Sequence, residues 1–72
     1  MEAETYNGYA IWGHAIAMQE DILQPERYKA SGTITQHNRL IEASGVLGTF
    51  ETAEEAQRVG LSWARAWIDN HG

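Results

Sequence analysis

The chain has 72 residues, 43% of them apolar and 21% charged, with a formal net charge of −5. That length and balance suit one globular domain over residues 1–72 rather than a disordered tail or a multidomain chain. Cysteine is absent, which excludes a disulfide framework, a thiolate metal site and a cysteine nucleophile.

A domain of this size buries only about 60% of the surface its unfolded chain exposes, so its core must be economical. Three Trp and three Tyr supply large apolar area to so short a chain. Ten acidic residues are spread along it against five Lys and Arg. Phosphate backbones are bound by clustered cations, so this balance disfavours nucleic acid as a partner. No basic segment precedes an apolar stretch, so no secretory signal is read. No apolar run is long enough to span a bilayer, and no membrane association is expected. Cytoplasm is the expected location.

In chain order, residues 1–5 read as a frayed polar lead-in. Asn7-Gly8 is a turn signal. A first strand follows over residues 9–18, apolar on both of its alternating sets: Tyr9, Ile11, Gly13 and Ala15 on one side, Trp12, His14 and Ile16 on the other. Residues 19–27, with Pro25, form a polar connection in which Ile22 and Leu23 are candidate pins to the core. Residues 28–36 alternate as a one-sided strand, with Tyr28, Ala30, Gly32 and Ile34 inward. A third strand is expected over residues 40–50. A two-residue loop at His37-Asn38 then pairs Ile34 with Ile41, Gly32 with Ala43, Ala30 with Gly45 and Tyr28 with Leu47. Gly48 marks a bend where this strand ends. Thr52-Ala53-Glu54-Glu55 is a capping box opening a helix over residues 53–70. Its predicted inner stripe is Ala56, Gly60, Trp63 and Trp67, with Val59 and Ala64 beside it, both indoles in the core and Leu61 and Ile68 at its margin. The expected fold is α+β, a three-stranded antiparallel sheet packed on one C-terminal helix (β-β-β-α). Small inner-face residues at Gly13, Ala30, Gly32, Ala43 and Gly45 make room for that helix.

Candidate chemistry is sparse. His14, His37 and His71 make no ligand pair, so no metal site and no cofactor are expected. A nucleophile would need Ser31, Thr33 or Ser44 beside His14 with Glu42 as the orienting carboxylate, a grouping conceivable on the outer sheet face. Solvated polar residues are the preferred reading of it, and no catalytic residue is assigned. Gly45-Val46-Leu47-Gly48 lacks the Lys and Ser/Thr that complete a phosphate loop. The remaining feature is an apolar group of Trp12, His14, Ile16, Leu40 and Val46. If Ile11 faces inward these residues form an exposed interaction surface; if the first strand has the opposite facing, Trp12 is core.

The text from Phe50 through Thr52, Glu54, Glu55 and Ala56 to Trp67-Ile68-Asp69, preceded by a hairpin, resembles that of short uncharacterised bacterial proteins of β-β-β-α type. It is also distantly similar to HicB-type antitoxin domains, which share a Tyr-rich first strand, a hairpin and a Thr-x-Glu-Glu helix start. Phage-integrase arm-binding domains have a similar order of elements but are basic. No functional residue is carried over from any of these.

These readings lead to a small non-catalytic domain that binds a protein partner or self-associates. A nucleic-acid-binding β-β-β-α module is the alternative, and a small ligand-binding or enzymatic subunit using the His14 and Glu42 face is a third reading.

Overall fold

The computed structural model describes residues 2–18 and 27–71. Its strands are β1 (Glu2–Tyr6), β2 (Tyr9–Met18), β3 (Arg27–Gln36), β4 (Arg39–Ala43) and β5 (Gly48–Phe50), followed by the helix α1 (Ala53–His71). The strands form one antiparallel sheet in the order β1-β2-β3-β4, with β5 also pairing β3. The α+β class and the C-terminal helix are as expected, but among the described residues the sheet has five strands rather than three. The expected connection through Pro25, with Ile22 and Leu23, lies outside the described residues.

The first extra strand comes from the supposed frayed lead-in. Asn7 and Gly8 both take positive φ, 49° and 84°. Such a turn has the twist that closes a tight hairpin. The lead-in therefore folds back, with Tyr6 opposite Tyr9 and Glu4 opposite Ile11. Two side-chain ties to α1 hold it there. The Tyr6 hydroxyl donates to Asp69 Oδ1 at 2.8 Å, and Glu4 pairs with Arg65. That hydrogen bond to Asp69, aided by lost solvation and the carboxylate's charge, holds the Tyr6 phenol above its ordinary range.

The second extra strand comes from a break in residues 40–50. The turn is as read: His37 and Asn38 take φ of 53° and 63°, and Leu40 lies opposite Thr35. Ile41 is then an extra residue, so that Ile34 meets Glu42 and Thr33 meets Ala43. A bulge of this kind displaces every later pair, and the expected pairs Ile34–Ile41 and Gly32–Ala43 do not form. Ser44 next bonds both backbone groups of Gly32. Its N–H donates to the Gly32 carbonyl at 2.9 Å, and its Oγ accepts from the Gly32 N–H at 2.8 Å. The chain leaves the ladder through Gly45, at φ 71°, and returns with Gly48 opposite Ala30 and Phe50 opposite Tyr28. The expected pairs Ala30–Gly45 and Tyr28–Leu47 are thereby replaced.

The helix begins as its capping box requires: the Glu55 N–H donates to Thr52 Oγ1 at 3.1 Å, and Glu54 and Glu55 occupy the positive first turn. The helix packs on the face that carries Ile11, Gly13, Ala30, Gly32 and Ile34. Ile11, Ile34, Leu61, Ala64 and Ile68 form the buried cluster. Gly13 lies directly against the Gln57 carbonyl, and Gly60 against the Ser31 carbonyl and Gly13 Cα, so that any β-carbon at either position would meet backbone. A β-carbon at Gly32 would lie 2.6 Å from the Gly60 carbonyl and from the Trp63 ring. Helix and sheet therefore touch backbone to backbone.

That contact corrects the helix facing. At about 100° per residue, the buried positions Ala56, Gly60, Leu61, Ala64 and Ile68 centre roughly 70° away from the predicted stripe. Leu61 and Ile68, expected at the margin, lie at the centre of the packing. Trp63 and Trp67 are half-buried and flank the core instead of filling it. An indole does not fit between backbones in contact.

Gly60→Ala should therefore destabilise the protein by about 2 kcal/mol or more, because no rotamer relieves a clash with backbone. In an unconstrained helix the same change stabilises by roughly 1 kcal/mol, so the sign measured by urea unfolding is diagnostic. Ile11→Ala should cost about 2–5 kcal/mol, as a core truncation does. Ile16→Ala, on the opposite face of the same strand, should cost less than about 0.5 kcal/mol in dilute solution. Equal losses at the two positions would show that the facing of β2 is wrong.

Candidate functional site

The close approach at Gly13 decides which way β2 faces. Gly13 and Ile11 must lie under the helix, so Trp12, His14 and Ile16 point to the opposite, outer face. Register places five rows on that face, the last of them Met18 with Arg27. Thr5, Ala10, Thr35 and Leu40 form the first, and Ala3, Trp12, Thr33 and Ala43 the second. His14 with Ser31 forms the third, and Ile16, Lys29 and Thr49 the fourth. The described residues provide no second helix to cover them.

Four of the five residues singled out in the sequence thus share one surface: Trp12, His14, Ile16 and Leu40. Ile16 is 50% and Leu40 66% exposed, while Trp12 and His14 are half-buried among their neighbours. Val46 is also exposed, but it lies in the excursion between β4 and β5 and belongs to no row of the sheet.

The suspected catalytic grouping comes together only in part. His14 Nε2 and Thr33 Oγ1 share a hydrogen bond of 2.9 Å, and Ser31 stands opposite His14. Glu42, however, is paired with the inward-facing Ile34, and its Oε1 accepts from the Ala43 N–H at 3.1 Å. Ser44 Oγ is occupied by Gly32 and by the Gly45 carbonyl. The result is a hydrogen-bonded His–Thr pair rather than a triad with an orienting carboxylate. His37 sits in the β3–β4 turn, and His71 stacks on Trp67 with ring centroids 4.3 Å apart. Among the described residues no three His, Asp or Glu side chains gather as a metal-binding group.

One property of the outer face was missed in the sequence. Among the described side chains assigned to it by register, Arg27 and Lys29 are charged and none is acidic, although the chain carries a net charge of −5. The signal was present: alternate residues from Ala10 to Met18 and from Arg27 to Thr35 include no Asp or Glu. Charge counted over the whole chain hides its division between two faces.

No helix among the described residues is long and apolar enough to cross a membrane. No curated protein matches the chain, and no solved structure does. The sequence profile of one family, a domain of unknown function (DUF6566), matches residues 1–72. With that match running over its full length, the chain belongs to the DUF6566 family.

Proposed function

We propose that this protein is a non-catalytic interaction domain that binds another protein chain through the outer face of its sheet. The observation that carries the reading is the unequal treatment of the two faces. One is closed by α1 in backbone contact, and the other presents Ile16 and Leu40 to solvent with Trp12 half-buried beside them, and register places no described acidic side chain there. An uncovered face that carries Trp12, Ile16 and Leu40 among Thr, Ser and Ala side chains favours association on a small protein, because covering it buries further apolar area. The lack of cysteine fits a reducing compartment, and the cytoplasm is the location this reading carries.

The same face supports a second reading. Sheet-borne aromatics stack unpaired bases in several RNA-binding folds, and Trp12 lies on a face whose described charges are both cationic. Arg27 and Lys29 supply little of the electrostatic attraction such binding draws on, so protein contact remains the preferred function.

A photo-reactive amino acid at position 40, introduced in the native host, separates the two. An adduct with a protein, a second copy included, that is lost on Trp12→Ala is the expected result. No protein adduct, together with tight binding of single-stranded nucleic acid at physiological salt, would overturn the assignment in favour of the second reading.

A further inference from the structure

We propose that the outer face pairs with the outer face of a second copy of this chain, about a two-fold axis lying across the strands between the Trp12 row and the His14 row. The proposal rests on the reading of that face as an interaction surface and names its occupant.

Three observations favour a second copy in this arrangement. The first is charge. Two chains of net charge −5 repel each other over most of their surfaces, and the outer face is where the described side chains bring no carboxylates together. An axis along the strands would set Lys29 beside its own symmetry mate. An axis across them separates the two Lys29 side chains by three rows, about 20 Å.

The second is relief. Across such an axis β2 lies over β2 of the other copy, running in the opposite direction. Ile16 then falls over Ala10 of the second copy, Leu40 over Thr49 and Trp12 over His14. The exposed large side chains of one copy thus meet smaller ones of the other, the pattern by which facing sheets reach interior packing density.

The third is area. The thirteen positions of the four overlapping rows, spaced about 6.7 Å along and about 4.8 Å across the strands, present roughly 420 Å² per copy, so two copies bury about 840 Å² before side-chain relief is counted, in the size range of weak and transient interfaces. The expected dimer is accordingly reversible and dependent on concentration.

Sedimentation velocity on the full chain over a range of concentrations tests the proposal. The wild type should pass from monomer to dimer. Ile16→Glu and Ala10→Lys should each weaken self-association at least tenfold, while circular dichroism and urea unfolding show both variants folded. An equimolar mixture of the two should recover the dimer, because the mixed pair sets the introduced carboxylate over the introduced ammonium and keeps one native Ile16–Ala10 contact. Failure of the mixture to recover would overturn the axis across the strands. A wild type that stays monomeric throughout would overturn self-pairing, and a protein adduct from the position-40 probe would then leave the interaction face standing with a different occupant. A dimer indifferent to both substitutions would place self-association on another surface and overturn the proposal.

Discussion

The contact of helix backbone with sheet backbone at Gly13, Gly32 and Gly60 is the constraint from which the rest of the structure follows. Each of these glycines occupies a place where a β-carbon would collide with the opposite layer. A helix held this close cannot roll, because turning it would carry Gly60 away from Gly13 and drive a larger neighbour into the gap. The fixed roll puts Leu61, Ala64 and Ile68 over Ile11 and Ile34 and leaves the indoles of Trp63 and Trp67 on the flanks. It also aims Arg65 and Asp69 at Glu4 and Tyr6, which is how an isolated polar N-terminal strand is retained. Exposed ion pairs contribute only about 0–1 kcal/mol each, so β1 owes its place to hairpin closure as much as to these ties.

The same contact makes the two faces of the sheet unlike. With Gly13 fixed under the helix, strand alternation leaves no freedom to Trp12, His14 and Ile16. Of the described acidic side chains, Glu54 and Glu55 stand at the helix start, Asp69 near its end, Glu4 under β1 and Glu42 opposite the inward-facing Ile34, while the charged residues that register places on the outer face are Arg27 and Lys29. A requirement of the core therefore decides which side chains of β2 lie on the uncovered side of the sheet.

Local features of this fold were legible in the sequence because their causes are local. The capping box at Thr52 and Glu55, the turn at His37-Asn38 and the bounds of β2 and β3 each depend on residues a few positions apart. The features that escaped depend on distant partners. Residues 2–6 have no strand signature of their own; the Asn7-Gly8 turn folds them back locally, but the ties that fix them to α1 are distant, the Tyr6–Asp69 hydrogen bond spanning 63 positions. The bulge at Ile41 was hidden because Leu40-Ile41 offers an apolar residue to either register, and the choice rests on Ser44 reaching Gly32. The helix stripe was drawn toward the two Trp side chains on hydrophobicity alone, whereas sterics awarded its centre to smaller residues. Of the candidate surface, the membership of Trp12, His14, Ile16 and Leu40 was visible, but its facing was not. Both alternating sets of β2 are apolar, and only the fit of Gly13 against Gln57 chooses between them.

A domain with one thin core has reason to use its second face. The fully buried hydrophobics are few and small, with Ile11, Ile34 and Ile68 the largest among them. Net stability in small domains is a modest difference between large terms, so a few hundred Å² of further apolar burial is a sizeable fraction of it. A partner that binds only the folded form adds RT ln(1 + [L]/Kd), about 2.7 kcal/mol at a hundredfold excess over the dissociation constant. Pairing of the outer faces, as proposed, would link folding to protein concentration. Under the proposed pairing the bare face would help to maintain the fold as well as recognise a partner, and the glycine contact that turns Trp12 and Ile16 outward would be offset by the association that covers them.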